Sequence, residues 1–117
     1  ETRRPIIGNV QGGLSGPAIK PVALLRTHQV HQACRPHDIP IIGQGGVTTA
    51  DDAIEFLIAG ASAVGIGTAL FYDPLVCDSI NRGLLDYLQR HQLASVSELT
   101  GSLQLHQNAN SPCACDT

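Results

Sequence analysis

Apolar residues recur along this chain at two different spacings. Ala50, Ala53, Ile54, Leu57 and Ile58 follow the i, i+3, i+4, i+7, i+8 spacing of one helix face. Thr49, with Asp52 three residues on, forms a capping-box-like start for that helix, and Gly60 is its natural stop. Val76, Ile80, Leu84, Tyr87 and Leu88 predict a longer helix over residues 74–90. Pro21 suits a first helical position, and Val22, Leu25, Val30 and Ala33 predict one face of a helix that follows it. Between these segments lie two short, unbroken apolar runs, "IPIIG" at residues 39–43 and "SAVGIG" at residues 62–67. Such runs suit buried parallel strands, which lack the inside–outside alternation of half-exposed ones. Ser95 and Glu98 offer a second capping box for a short last helix, and residues 105–117 read as a disordered tail.

The order is therefore helix, strand, helix, strand, helix with short connections, which predicts an α/β fold built from parallel βα units. Two strands do not make a stable parallel sheet alone, because such a sheet needs both faces covered and further neighbours. The expectation is a segment from the end of a barrel or open sheet, entered mid-stream, since no initiator Met opens it.

Composition narrows the partners. Apolar residues make up 43% of the 117, enough for a core, and the net charge of −3 leaves no basic stripe for nucleic acid and no patch to attract a membrane surface. No apolar run approaches the roughly 20 residues of a spanning helix, so a soluble, cytoplasmic protein is expected. Cys34, Cys77, Cys113 and Cys115 lack the spread of a disulfide framework. Cys113 and Cys115 form C-x-C, too few ligands for a metal without outside help. His28 and His31 stand three apart on the first helix and could touch one ion, but with no third ligand nearby a solvated helix face is the expectation. No metal site is expected.

The candidate chemistry lies where the strands end. Ligands of parallel α/β proteins gather at the carboxyl ends of strands. Here Gly45-Gly46 follows the first strand, and Gly67-Thr68 follows the second, about one βα repeat later. Glycine lets backbone N–H groups approach an anion closely and permits positive φ, and helix N-termini just beyond add partial positive charge. Either pair alone reads as a tight turn. Both together, with the Thr68 hydroxyl, predict a phosphate cradle. The cluster "GGLSG" at residues 12–16 precedes a helix and is placed to close over the same ligand.

These blocks, "GGLSGPAIKPVAL" at residues 12–24 and "IPIIGQGGVTTADDAIEFLIAGASAVGIGTALF" at residues 39–71, resemble the C-terminal part of dihydroorotate dehydrogenases over residues 1–103. "SGPAIKP" is most similar to the NAD-linked subtype. The resemblance implies the last βα units of a TIM (β/α)8 barrel over residues 1–104. It also implies oxidation of dihydroorotate to orotate in pyrimidine synthesis, with FMN as cofactor. By motif, Gly16, Gly45, Gly46, Gly67 and Thr68 correspond to FMN contacts, while Lys20 reads as a helix-start residue and Cys77 as a packing residue. A homodimer of the full-length enzyme, and a partner subunit carrying FAD and an iron–sulfur cluster, are further implications. The family's base and its orotate-binding asparagines have no counterpart in this chain, so no catalytic residue is assigned. The loop "CRPHDIP" is longer than in similar sequences. Two other readings are a different FMN-dependent pyrimidine dehydrogenase barrel and a non-catalytic packing remnant.

Overall fold

The computed structural model describes residues 3–105 of the chain. The expected tail lies outside them except for Leu105, and Cys113 and Cys115 lie outside altogether. Among the described residues three helices and two strands form: α1 (Lys20–Cys34), β1 (Ile42–Gln44), α2 (Ala50–Ala59), β2 (Ala63–Gly65) and α3 (Val76–Arg90). Short 3-10 turns lead into α1 (Pro17–Ile19), follow it (Arg35–His37), follow β2 (Thr68–Phe71) and end the fold (Val96–Glu98). β1 and β2 pair in parallel, with Ile42 opposite Ala63, Gly43 opposite Val64 and Gln44 opposite Gly65. The alternation of helices with parallel strands is the expected α/β arrangement.

α2 forms as its pattern requires. The Thr49 hydroxyl accepts from the Asp52 N–H at 3.2 Å, and the Asp52 carboxylate accepts from the Thr49 N–H at 2.9 Å, closing the capping box. Its inner face buries Ala53, Ile54, Phe56, Leu57 and Ala59. Phe56, Ala53 and Ala61 meet Val76 and Ile80 of α3 in the main core, and Leu57, Leu88 and Leu99 make a second cluster beside it. At the 3-10 turn Val96–Glu98, Glu98 accepts from the N–H groups of Ala94 and Ser95.

Two expectations are corrected. α1 does not bury the face carrying Val22, Leu25 and Val30, which are 53%, 55% and 46% exposed, while Thr27 is only 8% exposed. Ala23 and Leu24 pack on the core instead. α1 must lie against both the Gly45-Gly46 turn and α2, and only its small and polar side fits that close approach. The strands, too, are covered on one face only. Gly43 is buried, but Ile42 and Gln44 are exposed on the side away from the helices, because no element among the described residues packs there.

His31 shows how closely α1 meets α2. A Cβ on Gly60, which caps α2 at φ +121°, would overlap the His31 ring, and one on Gly101 would come 2.5 Å from its Nε2. The imidazole is wedged between two residues without side chains rather than lying on a solvated face. His28 lines a separate apolar groove with Leu24 and Ile58, and among the described residues no three His, Cys, Asp or Glu side chains gather as metal ligands.

Candidate functional site

The parallel register places the two glycine tips side by side. Gln44 lies opposite Gly65 as the last pair of the ladder, and Gly45-Gly46 and Gly67-Thr68 follow just beyond it. Between them opens a cleft of about 290 Å³ whose walls include Ser15, Gly16, Gly45, Gly46, Thr48, Gly65, Gly67 and Thr68. All five residues singled out from the sequence (Gly16, Gly45, Gly46, Gly67 and Thr68) therefore line one cavity, at the carboxyl ends of β1 and β2.

The glycines serve two different purposes. Gly45 (φ +132°) and Gly46 (φ +75°) hold backbone conformations that residues with side chains seldom adopt. A Cβ on Gly45 would fall 2.7 Å from Ala23 Cβ, and one on Gly46 would fall 2.7 Å from the Gly16 carbonyl and 3.1 Å from Lys20 Cβ. Both are thus required by the approach of α1, whatever the cleft holds. Gly67 has φ −123° and ψ −87°, and a Cβ there would meet nothing within 4 Å. At Gly67 no described residue occupies the space of the missing side chain, which opens onto the cleft.

Donors are available at both tips. Among the described residues, the N–H groups of Gly46, Gly67 and Thr68 donate to no backbone or side-chain acceptor. No lining side chain is ionisable. The arrangement can hold an anion by neutral donors but contains no proton acceptor of ordinary basicity and no fixed cation.

The expected help from helix N-termini is corrected for α2. Its first helical residues, Ala50 and Asp51, do not line the cleft, and the Asp52 carboxylate puts a negative charge at that helix start, accepting from the Thr48 N–H (2.9 Å), the Thr48 hydroxyl (2.8 Å) and the Thr49 N–H (2.9 Å). Asp52 also accepts from Lys20 Nζ at 2.5 Å, and Glu55 stands 2.9 Å from the same ammonium. Burial alone would raise the Asp52 pKa, but Lys20 and the Thr48 and Thr49 donors outweigh it and hold the carboxyl well below the usual carboxylate range. The two carboxylates in turn raise Lys20, Asp52 the more strongly. At the start of α1, Pro17 and Pro21 have no N–H to offer.

Lys20 therefore does more than start a helix. Paired with Asp52, it fastens the first turn of α1 to the first turn of α2, with the Gly45-Gly46 turn held between. The capping-box spacing pointed to Asp52, but nothing local pointed to a partner 32 residues away. Gln44 and Thr48 were missed as lining residues, while Ser15 falls in the "GGLSG" cluster expected to close over the ligand; the register of Gln44 against Gly65 was the available signal for the first.

A family model described as dihydroorotate dehydrogenase matches residues 1–88. Over 101 residues the chain is 54% identical to the catalytic subunit of dihydroorotate dehydrogenase B (NAD(+)) from Shouchella clausii, covering 86% of this chain and 32% of that protein. It is 51% identical over 105 residues to the subunit of the same name from Geotalea daltonii, covering 90% and 33%. The chain thus spans about a third of the length of the curated relatives it matches. Among solved structures, two of the enzyme abbreviated DHODH from Eimeria tenella superpose on 87% of the chain and 28% of theirs. The ligand-free form gives a TM-score of 0.73 at 29% identity and the ferulenol complex 0.71 at 26%.

Proposed function

The chain belongs to the dihydroorotate dehydrogenase family, its elements being C-terminal βα units of that family's TIM barrel, and from that premise we propose that it serves an enzyme oxidising dihydroorotate to orotate with FMN. In this reading the chain supplies the phosphate end of the FMN site, through Gly16, Gly45, Gly46, Gly67 and Thr68. The observation that carries the proposal is the set of acceptor-free N–H groups on Gly46, Gly67 and Thr68 lining one cleft at the strand ends.

The residues present fit a phosphate ester. Hydrogen bonds from backbone N–H groups to a charged acceptor contribute about 1.5–3 kcal/mol each, so a few such donors hold a phosphate without a lysine or arginine. Bound FMN would accept the hydride from dihydroorotate. The chain's own residues bind and orient. Gly46 is held in place by the Lys20–Asp52 pair, Gly67 leaves space, and Thr68 adds a hydroxyl. With no ionisable side chain in the cleft, proton removal from the substrate falls to a residue elsewhere in the complete barrel.

The relatives carry the name of a catalytic subunit linked to NAD(+). That name supports a second subunit and NAD as electron acceptor; we further propose that the complete enzyme is a homodimer and that the second subunit holds FAD and an iron–sulfur cluster. No helix among the described residues is long and apolar enough to cross a membrane, in keeping with a cytoplasmic site of action.

Purification of the complete enzyme tests the reading. It should carry FMN and turn over dihydroorotate, with NAD reduced only when the second subunit is added. A colourless, FMN-indifferent protein would contradict it.

A further inference from the structure

The last residue of β1, Gln44, has a side chain that bonds to nothing among the described residues. β1 turns Gly43 towards α2, where a Cβ would lie 2.7 Å from Phe56 and 2.9 Å from Ala61. Strand alternation then puts Ile42 and Gln44 on the opposite face. On the neighbouring strand the residue paired with Gln44 is Gly65. The Gln44 Cβ and Oε1 each lie 3.2 Å from the point where a side chain on Gly65 would begin. The carboxamide therefore lies across β2, at the floor of the cleft, in space that Gly65 leaves open. It is exposed and makes no hydrogen bond among the described residues. A carboxamide offers two donors and an acceptor, a set suited to a hydroxyl, which both gives and receives a hydrogen bond.

Gln44 lines the same cleft as Gly46, Gly67 and Thr68. An ester chain leaving a phosphate held at those three residues would therefore share its cavity with the Gln44 carboxamide. In FMN that chain is a sugar alcohol bearing hydroxyls. We propose that Gln44 is a specificity residue whose carboxamide hydrogen-bonds a hydroxyl of the chain joining the phosphate to the flavin ring. This rests on the FMN reading given above, and it adds a contact made by a side chain to a site otherwise built from backbone and Thr68.

The test uses the complete apoenzyme titrated with FMN by flavin fluorescence, in wild type, Gln44→Met and Gln44→Leu. Loss of one hydrogen bond at unchanged volume should raise Kd about three- to tenfold. The thermal midpoint of the apoenzyme should move too little to account for the change in Kd, since Gln44 bonds to nothing among the described residues. With a flavin phosphate whose chain lacks hydroxyls, wild type and variants should bind alike. An FMN Kd within twofold of wild type in both variants overturns the proposal. So does a fall in apoenzyme stability that accounts for the weaker binding, or an equal penalty with the hydroxyl-free analogue. Gly67→Val is the companion control. If that variant keeps FMN at wild-type affinity, the cradle itself is wrong; if it loses FMN while Gln44→Met binds normally, only the role of Gln44 is wrong.

Discussion

Gly45, Gly46 and Gly67 look equivalent in the sequence, yet the structure separates them and so separates what their substitution will report. Valine at Gly45 or Gly46 would strain a positive-φ backbone and strike Ala23, or the Gly16 carbonyl. Such variants should lose both stability and FMN, and their flavin loss says nothing specific about phosphate. At Gly67 an added Cβ meets no described atom within 4 Å. Gly67→Val should leave the apoenzyme melting temperature within a degree or so and remove most of the flavin absorbance per polypeptide. Asp52 gives a second residue-scale prediction. Its carboxyl ionises more readily in the folded chain than unfolded, so its contribution is complete above the ordinary carboxylate value of 3.8 and is lost as acid protonates the folded form. Urea unfolding should show Asp52→Asn less stable than wild type by about 1–3 kcal/mol at neutral pH, because buried donors lose a charged acceptor. That gap should narrow as the pH falls below the ordinary carboxylate value. A gap that widens in acid would mean Asp52 is not the stabilised carboxylate described.

Among the elements, α2 and α3 were legible because each carries its own signals. Thr49, Asp52 and Gly60 mark the ends of α2, and Val76, Ile80 and Leu88 of α3 are buried as their spacing requires. α1 was legible as a helix but not as a face. Its apolar residues Val22, Leu25 and Val30 form a plausible stripe, yet which side turns inward is decided by partners distant in sequence. The Gly45-Gly46 turn admits only Ala23, and the Gly60–Gly101 slot admits His31. β1 was placed a little early, at residues 39–43, because apolarity marks Ile39 and Pro40 as well as pairing does; the ladder instead takes in Gln44, a polar residue that no apolar run includes. Of the cleft, the glycine tips could be read from spacing, but the Lys20–Asp52 pair could not, since an ion pair leaves no periodic trace. The His31 slot gives a prediction at this scale. Gly60→Ala should lower the melting temperature by several degrees, and combining it with His31→Ala should recover part of the loss, the residue being the strain of φ +121°. Strict additivity would show that the imidazole does not fill the slot.

For the whole molecule, the described residues leave both edges of a two-stranded sheet open and leave Ile42, Phe71, Tyr72 and Leu75 exposed. Sheets of two strands with bare apolar faces are marginal in water and prone to associate. The 117-residue polypeptide by itself should therefore show a broad, weakly cooperative thermal transition by circular dichroism and self-association by light scattering. A sharp melt of a monomer would contradict the account of those faces as surfaces other parts of the barrel cover. The cleft itself is tested most directly by a crystal structure of the complete enzyme with FMN bound. The phosphate oxygens should lie within hydrogen-bond distance, about 2.7–3.2 Å, of the backbone nitrogens of Gly46, Gly67 and Thr68. A phosphate held anywhere else, with those N–H groups left to water, would contradict it.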